Sequence, residues 1–168
     1  MRRIQVEAVI RAPAETVWQV ITDLDRYPEW NGFTPRVTLR TCDLRTGAEF
    51  DLDCQITDRK LLTGEHEVVL RLDEQRRALC MGTSRARGRP GIVSERWQTC
   101  EVLDAGATRF VNWEEFRGPL SPLVQLLYAR KLERAFRRYC VDLQGRCQRL
   151  LRLERAAIGP DVPDGSGA

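Results

Sequence analysis

Hydrophobic and polar residues alternate from the first positions of the chain. Ile4, Val6, Ala8 and Ile10 fall on one side and Gln5, Glu7 and Arg11 on the other, with Val9 the exception, which predicts a half-buried strand over 3–11. Pro13 then suits the first position of a helix, Glu15 suits its first turn, and Val17, Trp18, Val20, Ile21 and Leu24 supply an apolar stripe. Tyr27-Pro28-Glu29-Trp30-Asn31-Gly32 interrupts that stripe, because proline pushes the preceding residue out of the helical region and Asn-Gly turns. The stretch from Trp18 to Trp30 therefore reads as a pair of short helices.

Strand patterns follow. A short one covers 35–41; Ala48, Phe50, Leu52, Cys54 and Ile56 then alternate with Glu49, Asp51, Asp53 and Gln55. His66, Val68, Leu70 and Leu72 alternate with Glu65, Glu67, Arg71 and Asp73, and a shorter piece covers 78–83. A loop rich in Arg, Gly and Pro over 85–91 separates these from strands at 92–103 and 107–117, joined by Asp104-Ala105-Gly106, a hairpin signal. Short connections throughout predict antiparallel pairing.

The period changes after Ser121, which can cap a helix ahead of Pro122. Leu123, Leu126, Leu127, Leu132, Ala135, Phe136, Tyr139, Leu143, Cys147 and Leu150 recur at three- and four-residue steps. About 24 residues of helix span roughly 36 Å, the width of a small domain, and Gly145 marks where the helix ends or loosens. The expected organisation is a single ligand-binding domain over 1–153 and a disordered tail over 154–168, rich in Pro and Gly from Gly159.

About seven strands present one large apolar face, and one long helix is available to cover it. The predicted class is α+β: a curved antiparallel sheet wrapped round a C-terminal helix, with two short helices after the first strand. Such a grip leaves space between helix and sheet for a small ligand.

Composition narrows the partners. With 42% apolar and 30% charged residues the chain reads as an ordinary globular domain, and no apolar run is long enough to span a membrane. The N-terminus enters the strand pattern directly, without a secretory stretch, so a cytoplasmic location and no integral membrane association are expected. The net charge is only +3, so nucleic acid is not an expected partner. The excess is uneven: from Leu120 to Leu153 Arg130, Lys131, Arg134, Arg137, Arg138, Arg146, Arg149 and Arg152 face only Glu133 and Asp142. That pattern describes a solvated helix face, or a surface for an acidic partner or an anionic membrane. Cys42, Cys54, Cys80, Cys100, Cys140 and Cys147 lack paired spacing and read as small buried hydrophobes. The lone His66 and scattered thiols make no zinc pattern, so neither metal nor cofactor is expected.

Ala12-Pro13-Ala14-Glu15-Thr16-Val17-Trp18 and Thr22-Asp23-Leu24-Asp25-Arg26-Tyr27-Pro28-Glu29-Trp30-Asn31, with Thr108-Arg109-Phe110-Val111-Asn112-Trp113-Glu114-Glu115-Phe116-Arg117-Gly118 ahead of the long helix, resemble the START-related superfamily. This superfamily includes polyketide cyclases and birch-pollen-allergen-like proteins. The resemblance covers about residues 2–150 and implies the helix-grip fold. It leaves activity open, because that fold hosts lipid carriers, receptors, aromatase/cyclases and self-resistance proteins.

The strand phases place His66, Glu95, Asn112 and Glu114 on inward faces, beside Val93, Trp97, Phe110 and Phe116. A one-residue slip would turn any of them outward. A carboxylate in an apolar cavity has a raised pKa and can exchange protons with an enolisable carbon, which makes Glu114, Glu95 and His66 the catalytic candidates. Pairing of the carboxylates with Arg96, Arg109 or Arg117, or a place at the cavity mouth, is the plainer reading. The expected ligand-binding set is Trp18, Trp30, Phe50, His66, Trp97, Phe110, Asn112, Glu114 and Phe136. Met81 and the 85–91 loop could gate the entrance.

Neither a phosphate-binding glycine loop nor a serine-hydrolase elbow is present in the sequence. Three functions remain: binding or transport of a hydrophobic, lipid- or polyketide-like small molecule; aromatase/cyclase or dehydratase chemistry by cavity carboxylates; and self-resistance or partner interaction. The expected state is a monomer or weak homodimer.

Overall fold

The computed structural model describes residues 3–83 and 90–158. Seven strands, β1 (Ile4–Ile10), β2 (Arg36–Leu39), β3 (Glu49–Thr57), β4 (Lys60–Asp73), β5 (Ala78–Thr83), β6 (Val93–Asp104) and β7 (Ala107–Arg117), form one antiparallel sheet in the order β1-β7-β6-β5-β4-β3-β2. Between β1 and β2 lie α1 (Ala14–Thr22) and a 3-10 helix (Leu24–Glu29); α2 (Ser121–Ile158) follows β7. This is the α+β helix-grip arrangement that the order of periods implies.

The sheet closes on α2 because each brings a continuous apolar face. Leu132, Ala135, Phe136, Tyr139, Cys140, Leu143 and Cys147 are buried at three- and four-residue steps along the helix. They meet Ile4, Val6 and Ile10 of β1, Phe110 of β7, and Val17 and Ile21 of α1 in a single core cluster. The short helices plug one end: Trp30 packs against Tyr27 and Tyr139 at ring separations of 5.2 and 5.4 Å.

Three expectations change. The long helix runs through Gly145 to Ile158, because Cys147, fully buried beyond the glycine, and the partly buried Leu150 and Leu151 keep packing against the core. Of the expected 154–168 tail, 154–158 are therefore helical and 159–168 lie outside the described residues. At its other end Leu123, Leu126 and Leu127 are exposed, while Val124 and Tyr128 of the same turns line a cavity. Cys42 is also exposed, in the bend between β2 and β3; Cys80, Cys100, Cys140 and Cys147 are buried, and all six thiols are free.

Candidate functional site

Where the first turns of α2 stand away from the sheet, a cavity of about 460 Å³ remains, within the range of small-molecule sites. Phe33, Val37, Phe50, Leu52, Ile56 and Leu132 make its wall largely apolar. The polar exceptions come from neighbouring strands. Glu67 of β4 lies in register with Thr83 of β5 and Phe50 of β3, and Arg96 of β6 lies opposite Glu114 of β7 and Met81 of β5. Glu65, Glu67, Thr83, Ser94, Arg96 and Glu114 all line the cavity.

Arg96 organises this group. Its side chain is held from one side by Asn112, whose Oδ1 accepts from Nε at 2.9 Å, and its guanidinium stands 4.8–4.9 Å from the rings of Phe33, Phe136 and Tyr139. Nη2 is buried and without a hydrogen-bond partner among the described residues. Burial pushes the Glu114 carboxyl up to about 7, against the opposing pull of Arg96 and a hydrogen bond from Ser94. Burial likewise pushes Glu67 up to about 7; the Glu114 charge adds to the rise, Arg96 opposes it, and Glu65 adds a smaller push.

Behind the cavity wall runs a second polar chain. Tyr139 donates to Gln98 Oε1 at 2.6 Å, Tyr27 donates to the Ile21 carbonyl at 2.7 Å, and the two hydroxyls stand 3.5 Å apart. Burial raises both phenols, so they stay protonated.

Of the residues expected from sequence, Phe50 and Glu114 line the cavity. Asn112 faces inward and is fully buried, one layer behind, as the anchor of Arg96. Trp18, Trp30, Phe110 and Phe136 are buried where α2 closes on the sheet and do not reach the cavity; Phe110 stacks on Tyr139 at 5.9 Å.

Glu95 and Trp97 have the opposite phase from that expected. Ser94, Arg96, Gln98 and Cys100 point inward, so Glu95 turns to the outer face and accepts from Arg117 at 3.3 Å, while Trp97 stacks on Trp113 at 5.6 Å. His66 is among the residues lining the cavity, and its ring nitrogens are turned to carboxylates of the outer face. There Nδ1 bonds Asp51 and Nε2 lies 3.4 Å from Glu49 Oε2. The cause is pairing: Asp51 is opposite His66, and Phe50 opposite Glu67. Arg96, Glu67 and Glu65 are thus site residues that alternation alone did not bring out. Of the expected entrance residues, Met81 lines the cavity and 84–89 lie outside the described residues.

A family model described as polyketide cyclase / dehydrase and lipid transport matches residues 1–148. The chain belongs to that family. Oxopyrrolidines biosynthesis cluster protein O of Penicillium oxalicum is 26% identical over 166 residues, covering 80% of this chain and 81% of that protein. The crystal structure of Zhui aromatase/cyclase from Streptomyces sp. R1128 superposes with a TM-score of 0.69 at 19% identity, covering 89% of this chain and 95% of that one. A START superfamily protein from Mycobacterium smegmatis gives 0.67 at 16% identity, covering 88% and 98%. At these identities the structural likenesses speak for the fold, and they agree with the START-related resemblance of the sequence. A polyketide cyclase family member with a cavity between sheet and helix has the architecture for hydrophobic ligands. No helix among the described residues is long and apolar enough to cross a membrane.

Proposed function

We propose that the chain binds a hydrophobic, carbonyl-bearing small molecule in this cavity and moves protons on it, as a cyclase or dehydratase does. One observation carries the reading: Glu67 and Glu114, from separate strands, line one apolar cavity that also contains the guanidinium of Arg96. Both carboxyls are pushed to about 7, so the pair holds an acid and a base at neutral pH.

The surroundings assign the roles. Arg96 favours the ionised form of Glu114, which acts as the base; the Glu114 and Glu65 charges keep the proton on Glu67, which acts as the acid. Glu114 removes a proton from a carbon beside a carbonyl, and the developing enolate oxygen is received by Arg96, whose Nη2 is unoccupied by any described residue. In a dehydration the C–H and C–O bonds break, a C=C bond forms, and Glu67 gives its proton to the departing hydroxyl, which leaves as water. In a ring closure the enolate carbon attacks a second carbonyl and Glu67 protonates the resulting alkoxide. The similarity to an aromatase/cyclase and to a biosynthesis cluster protein supports a substrate of this kind.

Turnover of a poly-β-ketone or β-hydroxy ketone, with binding followed by thermal shift, tests the reading. Glu114→Gln and Glu67→Gln should each lose about a hundredfold or more in turnover while still binding, the usual scale for a lost acid or base. Glu95→Gln, on the outer face, should turn over as the parent does. If the parent binds the ketone and leaves it unchanged, the chain is a carrier, a reading favoured by the apolar wall of the cavity.

A further inference from the structure

The only two lysines of the chain, Lys60 and Lys131, meet at one tyrosine. Lys60 Nζ bonds the hydroxyl of Tyr128 and lies 4.3 Å from the centre of its ring; Lys131 Nζ lies 5.2 Å from the same ring. Lys60 begins β4, and Tyr128 and Lys131 share a face of α2 one turn apart, so strand and helix converge on this point from opposite sides of the cavity. Lys60 and Tyr128 both line it.

Neither lysine has an ion-pair partner among the described residues. Three of the arginines further along the helix do: Arg137 pairs with Glu133, Arg138 with Asp58 and Arg146 with Glu29. Two ammonium groups are therefore held at one aromatic ring without an anion between them. Because Lys60 donates to the phenol oxygen, the Tyr128 O–H is left to donate elsewhere. The two ammonium groups and the phenol O–H together offer donors for an anion.

The other end of the cavity carries the carboxyls of Glu67 and Glu114 beside Arg96. Lys60 and Glu67 lie on the same strand, roughly 20 Å apart at 3.3 Å per residue. Cys54, Ile56, Leu62 and Leu132 contribute apolar wall to the same cavity. Ionised Glu114 disfavours a second anion beside it, and the lysines attract one, so the charged end of an amphiphile is favoured at the lysines.

We propose that Lys60, Lys131 and Tyr128 form an anion clasp at one end of the cavity, holding the carboxylate or phosphate end of an elongated apolar ligand whose body reaches toward Glu67 and Glu114. This rests on the cavity being the ligand site proposed above. The clasp makes the substrate class an anionic amphiphile rather than a neutral one, and it fixes which end of the molecule meets the reacting carboxyls.

The test uses hexadecanoate, hexadecyl phosphate, methyl hexadecanoate and hexadecanol, each displacing the neutral probe diphenylhexatriene from the parent protein and from the Lys60→Met/Lys131→Met variant. The parent should prefer the anions over the neutral ligands by about tenfold at low salt, the scale of two partly exposed charge contacts, and the preference should shrink in high salt. The variant should bind hexadecanol as the parent does and lose the preference. A tighter phosphate names a phosphate-bearing end, such as a lipid headgroup or a carrier arm; a tighter carboxylate names a free acid. Equal binding of charged and neutral ligands by the parent, or a preference that survives the double substitution, overturns the clasp and leaves the cavity as the ligand site. If the probe binds and no amphiphile displaces it, the clasp falls; if the probe does not bind either, the ligand-binding reading falls with it.

Discussion

Arg96 and Glu114 stand directly opposite each other across the β6–β7 ladder, both on the concave side of the sheet. A buried carboxyl beside a buried guanidinium balances two effects: burial raises its pKa, and the neighbouring cation lowers it. For Glu114 burial wins, and Arg96 limits the rise to about 7. Arg96→Met removes the opposing cation, so Glu114 and Glu67 should both titrate higher than in the parent. Carboxyl carbon shifts followed by NMR across neutral pH would report this. Unmoved midpoints would show that Arg96 does not set the acidity of the site.

The same two carboxyls tie stability to pH. Each has a folded value near 7 against an ordinary value of 4.5, so between these limits the folded state binds more protons than the unfolded one. Stability must then fall as pH rises from about 4.5 to about 7, by at most about 3 to 4 kcal/mol for each group, since a pKa unit is worth about 1.4 kcal/mol. Replacing both by Gln removes the penalty. The Glu67→Gln/Glu114→Gln variant should melt higher than the parent at pH 8 and close to it at pH 5, as measured by calorimetry. A Tm difference that does not change with pH would count against the buried-pair account.

Much of the fold was legible because it rests on two periods. The alternation over Ile4–Ile10 and Ala107–Arg117 and the helical step from Leu132 to Cys147 each name a face that the core then uses. The site was harder to read, because it depends on strand phase across irregular pairings. Counting back from the Asp104–Ala107 turn in a regular hairpin puts Trp97 opposite Glu114. The irregularity between Val102 and Asp104 shifts the ladder by one, so Arg96 is opposite Glu114 and Trp97 faces out. In β4 a similar shift between Val69 and Arg71 breaks the apparent series His66, Val68, Leu70, Leu72. The first three then face out and Leu72 faces in, while Glu67 and Val69 take the inner face. Rules that send tryptophan inward and charge outward fail where a site needs charge inside and a stacked pair, Trp97 and Trp113, covers the outer face.

Behind the cavity, Tyr139 holds Gln98 in place through its hydroxyl, while Gln98 Nε2 is already without a partner among the described residues. Tyr139→Phe keeps the ring and strips the carboxamide of its donor, leaving a buried amide oxygen unpaired. The expected cost is about 1–3 kcal/mol, read from urea unfolding at unchanged m-value. A loss much smaller than this would mean that the amide finds water.

The link from sheet to helix depends on Gly118. Its φ of 107° lies in the left-handed region that side chains disfavour, and a Cβ there would stand 2.5 Å from the carbonyl oxygen of Gly91. That carbonyl also accepts from the Leu120 N–H at 3.1 Å, so it ties the start of α2 to the segment entering β6. Pro90, Ile92, Leu120 and Val124, which line the cavity, belong to these two segments. Gly118→Ala must therefore rotate the backbone and push Gly91 away, which moves one side of the cavity relative to the other. The variant should lose about 2–3 kcal/mol of stability, the range for strain combined with a backbone clash. It should also bind a hydrophobic probe more weakly than Gly106→Ala, whose added carbon meets only the Asp104 carboxylate at 3.8 Å. Equal probe binding by the two variants, both shown to be folded by circular dichroism, would separate the position of α2 from the shape of the cavity.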